Sequence, residues 1–352
     1  MKLKSIKVRS LAAVALAATL TLTACGGDNG DDGADGTTTG GGGGGEGAEA
    51  LTLTMLPKNL GNPYFDTSTK GAQAAADALG ATLEEVGPEQ ASPDAQVQYI
   101  NTAAQQGVDG LIISANDPTA ICDAIGEAQD AGVTVVTFDS DTSADCRDLF
   151  INQATAEGIA KVQIDMIAEQ IGDEGQIAIL SASANATNQN AWIEMMEAEL
   201  AANHPNIELV DTVYGDDQDQ KSFDQTEALL ANHPDLKGII SPTTVGIAAA
   251  ARYLSDSEHK GQVALTGLGT PNQMREYVKD GTVTEFALWN PEELGYLATY
   301  ATAAVASGEI EGNEGDTFTA GDLGEYTVEA DGVVLLGEPY RFNADNIDDF
   351  DF

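Results

Sequence analysis

"VDGLIISANDPTAICDAIGEAQDAGVTVVTFDSD", Val108 to Asp141, holds the fold in miniature. "VDGLIIS" and "VTVVTFDSD" are short apolar runs that end on polar residues. Continuous runs of this kind suit strands covered on both faces. Between them "DPTAICDAIGEAQDAG" reads as a helix. Strand, helix, strand is the unit from which parallel, doubly wound sheets are built.

The same alternation extends in both directions. Upstream, "LTLTML" and "ATLEEVG" read as strands, and "STKGAQAAADALG" as a helix ending at Gly80. "SPDAQVQYINTAAQQG" reads as a helix with Ser92 as N-cap. Downstream of "LFINQA", Leu149 to Ala154, the pattern restarts with "AEGIAKVQIDMIAEQIG", "QIAILSA" and "NAWIEMMEAELAANHP". It runs on to the strand "VTEFALWNP". "LAANHPNIELV" and "LLANHPDLKGII" echo each other about one βα unit apart, each closing a helix and entering a strand. The reading is therefore α/β, with two doubly wound parallel-sheet lobes. A further helix, "EELGYLATYATAAVASG", and a β-rich tail, "YTVEADGVVLLGEPYRF", are left over. That surplus predicts that the chain crosses between the lobes more than once.

Residues 1–24 do not belong to the fold. Lys2, Lys4, Lys7 and Arg9 precede the apolar "LAAVALAATLTLTA", which is too short to span a bilayer. This is a secretory signal pattern. Its end, "LTAC", resembles the lipobox of bacterial lipoproteins and makes Cys25 the expected lipidation site; the alternative is an ordinary signal with a chance cysteine. Residues 25–50 then form a tether, in which "GGDNGDDGADGTTTGGGGGGEGAEA" carries 12 glycines, six acids and no base. Such a segment lacks the apolar surface to offset its ordering entropy, and its random-coil reach is roughly 25–30 Å. The expected localisation is extracytoplasmic, on the outer face of the cell membrane or in a periplasm, with membrane contact through the lipid only.

The chain has 15 Lys and Arg against 57 Asp and Glu, a formal net charge of −42. Losing the signal makes the remainder more acidic still. Phosphate binding relies on Lys and Arg, so DNA and RNA are excluded as partners. The acidity reads as solubility. Cys122 and Cys146 are the two cysteines left after Cys25. In an exported chain they suggest one disulfide; two buried free thiols are the alternative.

Ligands of open parallel sheets bind beyond the carboxyl ends of the strands. Those ends carry Lys58, Asn62, Tyr64 and Phe65; Ser114 and Asn116; Asp139 and Asp141. The second half adds Asn185, Asn188, Gln189 and Trp192; Tyr214 and Asp216; Pro242, Thr243 and Thr244; Trp289 and Asn290. Amides and carboxylates match vicinal hydroxyls, and ring faces cover the C–H side of a sugar. A polyol or small sugar is the natural ligand class. Lys58 donates and Asp139 accepts in this reading, with Phe65 as a wall. The structural alternatives are a plain Lys58–Asp139 ion pair and core packing for Tyr64, Phe65 and Trp192.

Enzyme readings find little support. His204 and His233 sit in helix-ending "NHP" and His259 in "SEHKG", all away from strand ends. There is no G-x-S-x-G and no phosphate loop. "DDQDQKSF" lacks the glycine of a calcium loop. No metal or cofactor is expected. A glycosidase-type carboxylate pair stays open.

At these residues the chain resembles the type I periplasmic sugar-binding proteins of ABC importers, from about Leu51 to Phe352. "LPKNLGNPYF", "ISANDPTAICDAI", "TFDSDTSADC", "NATNQNAWI", "SPTTVGIAAAAR", "TGLGTPNQM", "FALWNPEELGY" and "NIDDFDF" look like the branch that contains rhamnose-binding proteins. The autoinducer-2 receptor is a close relative; there the position of Asn188 looks like Asp and that of Thr244 like Ala. The resemblance implies a periplasmic-binding-protein type I fold, two lobes joined by a three-crossing hinge that closes on ligand. The crossings would lie near Asn152, Asn290 and Gly321. One lobe would hold residues 51–152 plus 291–320 and the other 153–290 plus 321–352. Ligand contacts are implied for Lys58, Asn62, Tyr64, Phe65, Asp139, Asn188, Gln189, Pro242, Thr243, Thr244, Trp289 and Asn290. A membrane permease and ATPase are the implied partners, a monosaccharide such as L-rhamnose the ligand, and a monomer the expected state. The family's disulfide pattern agrees with Cys122–Cys146.

Overall fold

The computed structural model describes residues 50–352. The signal 1–24, Cys25 and all of the tether before Ala50 lie outside the described residues.

The first sheet starts with β1 (Thr52–Leu56), α1 (Pro63–Leu79), β2 (Thr82–Glu85), α2 (Pro93–Gln106), β3 (Gly110–Ile113), α3 (Cys122–Asp130), β4 (Thr134–Phe138) and β5 (Leu149–Asn152). The chain then builds α4 (Ala156–Ile171), β6 (Gly175–Ser181), α5 (Thr187–Asn203), β7 (Ile207–Tyr214), α6 (Asp219–Asn232), β8 (Leu236–Ser241), α7 (Thr244–Ser255), β9 (Ala264–Gly267), α8 (Pro271–Lys279) and β10 (Glu285–Leu288). It ends with α9 (Pro291–Ala306), β11 (Thr317–Thr319), β12 (Glu325–Thr327), β13 (Val333–Leu335) and β14 (Tyr340–Asn343).

Two parallel sheets result. The first runs β13-β5-β4-β3-β1-β2 and the second β7-β6-β8-β9. All four residues of β3 are buried, as its apolar run requires, whereas edge strand β2 alternates between exposed and half-buried. β14 pairs antiparallel with β10, and a bridge from Leu268 to Ala287 ties β10 to the second sheet.

The helices stop where local chemistry says they should. Ser92 Oγ caps α2 by accepting from the Ala95 amide, and Gly80 ends α1 with φ +69°. His204 and His233 follow α5 and α6 directly, as the repeated Asn-His-Pro predicts.

α9 returns to the first lobe and packs closely against α1. A Cβ on Gly71 would stand 1.8 Å from the Glu292 carbonyl oxygen, and one on Gly295 would stand 1.9 Å from that of Ser68. Only glycine lets these backbones meet.

The chain passes from the first sheet to the second after Asn152 and leaves β10 for α9 at Asn290. The third crossing is displaced. Val333–Leu335 pairs with Phe150, Ile151 and Asn152 in the first sheet, and the next strand, Tyr340–Asn343, pairs in the second lobe. The crossing therefore lies between Leu335 and Tyr340, not near Gly321; Glu325–Thr327 forms a small antiparallel pair with Thr317–Thr319, and Val333–Leu335 joins the first sheet. The Cys122 and Cys146 sulfurs lie at bonding distance beside α3, with their Cα atoms 5.3 Å apart. No helix among the described residues is long and apolar enough to cross a membrane.

Candidate functional site

The carboxyl ends of both sheets face a shared cavity. Its empty space is about 370 Å³, counting the part open to solvent. Lys58, Asn62, Tyr64, Phe65 and Asp139 line it from the first lobe. Asn188, Gln189, Pro242, Thr243 and Thr244 line it from the second, with Trp289 beside the middle crossing.

Each side chain is placed by a local device. Asn62 is the N-cap of α1: its Oδ1 accepts from the Tyr64 amide, which leaves its NH₂ for the cavity. Asn116 donates to the Lys58 carbonyl oxygen at 2.9 Å and holds the loop after β1. Asp139 follows β4 with φ +60°, a left-handed conformation that turns its carboxylate back across the sheet end. Gln189 Oε1 accepts from Ser181 Oγ at 2.9 Å and from the Ala182 amide at 2.8 Å, so its NH₂ is left for a ligand.

A chain of hydrogen bonds crosses the cavity floor. Trp289 Nε1–H donates to Tyr64 Oη at 2.9 Å, and Tyr64 donates to Asp139 Oδ1 at 3.0 Å. Ser114 donates to Asp139 Oδ2 at 2.8 Å. The rings stand edge-to-face: Tyr64 to Trp289 at 6.1 Å and Trp192 to Trp289 at 5.9 Å between centroids. Trp192 thus lies on the cavity and in the core at once, being only 4% exposed.

Lys58 forms no close ion pair with Asp139. Its Nζ donates to Asn188 Oδ1 at 3.0 Å, across the cleft from one lobe to the other. Its charge still acts on the buried acids, though burial outweighs it. Burial pushes the Asp139 carboxyl above the usual carboxylate range, against the opposing charge of Lys58 and the bonds from Ser114 and Tyr64. Burial also raises the Tyr64 hydroxyl well above its ordinary value, helped by the Asp139 charge.

Asp217 was not foreseen. It lines the cavity beyond β7, with φ +49°, and accepts a bond from Thr243 Oγ1. Burial raises its carboxyl, while Thr243 and the Lys58 charge pull it down. One lysine therefore faces two acids, one on each lobe. Leu268 and Leu288 supply further apolar wall.

Several strand-end residues do other work. Asn290 does not line the cavity; its Oδ1 caps α9 by accepting from the Glu292 amide at 3.0 Å. Asp141 pairs with Arg147 at 2.8 Å. Asn185 reaches Asp117 across the cleft at 3.4 Å. Tyr214 and Asp216 lie outside the lining, and Asp216 pairs with Lys221. The histidines lie elsewhere, His204 beside Asp173 and His233 beside Asp211.

The two-lobed fold matches known proteins. Residues 53–310 match the family model described as "Periplasmic binding protein domain". The structure is similar to a sugar ABC transporter protein from Actinomyces odontolyticus, 55% identical, with a TM-score of 0.71 and covering 86% of this chain and 98% of that one. It is similar to an ABC transporter solute-binding protein from Clostridium phytofermentas with bound L-rhamnose, 39% identical at a TM-score of 0.83, with the same two coverages. LsrB from Clostridium saccharobutylicum in complex with AI-2 is 28% identical at a TM-score of 0.81, over 86% of this chain and all, 100%, of that one. With the matched segment spanning most of the chain, and with both sheets and the three crossings in place, this protein belongs to the periplasmic binding protein family, in its type I fold.

Proposed function

We propose that this chain is the extracytoplasmic sugar-binding component of an ABC importer, and that it closes its two lobes on a monosaccharide. The observation that carries this reading is the cavity itself. Acceptors on Asp139 and Asp217, donors on Lys58, Asn62 and Gln189, and the faces of Trp289, Trp192 and Tyr64 surround one space. Hydroxyls on a ring ask for that mixture. The site takes the sugar without changing it, and the ligand set is the lining set; Asn290 acts through α9.

L-rhamnose is the first candidate. The support is the rhamnose-bound relative and the presence of Asn188 and Thr244. The AI-2-bound relative favours a second reading, autoinducer-2 uptake on the same scaffold. The proposal includes lipid anchoring through Cys25, a Cys122–Cys146 disulfide in the exported protein, a permease and ATPase as partners, and a monomeric state.

Calorimetric titration of residues 48–352, stripped of carried ligand by unfolding and refolding, tests the substrate. The panel is L-rhamnose, D-ribose, D-xylose, L-fucose and autoinducer-2. Micromolar or tighter binding of L-rhamnose alone is expected. Binding of autoinducer-2 in its place would move the protein to signal uptake, and silence across the panel would sink the choice of sugar.

A further inference from the structure

Asp139 is tied to two of the crossings by bonds within the protein. Its amide donates to the Ile151 carbonyl oxygen at 3.3 Å, one residue before Asn152. Gln153 Nε2–H, one residue after Asn152, donates to the Asp139 carbonyl oxygen at 3.1 Å. Gln153 is buried and lies outside the cavity lining. The carboxylate is tied to the middle crossing. Trp289, which directly precedes Asn290, reaches Asp139 Oδ1 through the Tyr64 hydroxyl.

That hydroxyl is fully engaged. A phenol has one proton to give, and Tyr64 gives it to Asp139 at 3.0 Å while its oxygen accepts from Trp289 at 2.9 Å. Tyr64 therefore meets a ligand with its ring face, and its hydroxyl serves Asp139. Ser114, buried and outside the lining, serves the other carboxylate oxygen at 2.8 Å. With both oxygens held, the carboxylate has one orientation. The Trp289 indole has one N–H, and Tyr64 takes it. A rotation at the crossing that moves Trp289 must carry this bond along or bend it, and hydrogen bonds weaken steeply as they bend.

We propose that Tyr64 is a positioning residue that couples sugar binding to hinge closure: its hydroxyl aims the Asp139 carboxylate and links it to the middle crossing through Trp289. This rests on the sugar-binding reading above. A sugar hydroxyl that donates to Asp139 changes the acceptor offered to Tyr64, and Tyr64 in turn changes its hold on Trp289.

Two measurements test it. The first needs no sugar. In a Trp192→Phe background Trp289 remains as the single tryptophan of the original two. Its emission is followed from about pH 8 to about pH 4, while Asp139 titrates beside Tyr64 and under the charges of Lys58 and Asp217. A step is expected above the ordinary carboxylate range, because burial raises the Asp139 carboxyl. Asp139→Asn and Tyr64→Phe are each expected to remove it. A step that survives either substitution would overturn the relay, as would the absence of any step in the parent. Should Tyr64→Phe not fold, 3-fluorotyrosine in place of Tyr64 keeps the shape and donates more strongly. The step is then expected to move to lower pH, and an unmoved step would overturn the proposal. The second measurement is a titration cycle with L-rhamnose, or with whichever sugar of the panel binds. Tyr64→Phe is expected to weaken binding roughly tenfold, but under about twofold when Asp139 is already Asn. Equal losses in both backgrounds would overturn the proposal, because the hydroxyl would then touch the sugar itself or only support the fold. No binding across the panel would overturn the sugar reading alone, since the pH step judges the link from Asp139 to Trp289 by itself.

Discussion

Asp139 shows what a single residue does here. It is buried, left-handed in backbone, and raised in pKa by burial, yet it is held by Tyr64 and Ser114. A raised folded-state pKa means that the folded protein resists ionising it. The penalty is full above the folded pKa and fades as pH falls toward the ordinary carboxylate value. Asp139→Asn is therefore expected to raise the Tm of ligand-free protein by about 2–4 °C at pH 7 and to have no effect near pH 4. Scanning calorimetry at the two values checks this. The same variant is expected to lose at least tenfold in sugar affinity, since a charged acceptor is gone. Lys58 and Asp139 were legible in sequence because each ends an apolar run. Asp217 was not: it sits in "DDQDQ", where nothing in composition separates it from surface acids. Its positive φ and its Thr243 partner are what set it apart. Asn290 misled because a strand-end residue followed by Pro-Glu is also a helix N-cap, and the cap claimed the side chain.

Among the elements, the α1–α9 contact bears the most consequence. Both helices carry a glycine at the crossing, and the facing partners are backbone carbonyls that have little room to move. Gly71→Ala is expected to destabilise the protein by about 2–3 kcal/mol, the upper range for overpacking. Urea unfolding of the variant measures this, and a loss under about 0.5 kcal/mol would show that the helices can separate at little cost. Helices and strands of the repeating units were legible because their apolar runs are continuous and their caps ordinary. The short strands were not. Val333–Leu335 is three residues long, and three residues do not carry enough pattern to say which sheet they join. Only pairing with Leu149–Asn152 decides it, and pairing is a long-range property.

The whole molecule is governed by its charge. With a formal net charge of −42, self-repulsion opposes the compact state and is screened by salt. The Tm is expected to rise by several degrees between roughly 0.05 and 1 M NaCl, and a flat response in calorimetry would show that the acids are already neutralised locally. The two-lobe plan was legible from the restart after Leu149–Ala154. The place of the last crossing was not, and it has a kinetic meaning. The first sheet is completed by a strand made long after its neighbours. Until Val333–Leu335 emerges, Leu149–Asn152 remains an open edge, and the second lobe waits for Tyr340–Asn343 in the same way. Contacts so distant in sequence form slowly. Neither half can finish ahead of the other, so the two lobes are expected to complete their folding together.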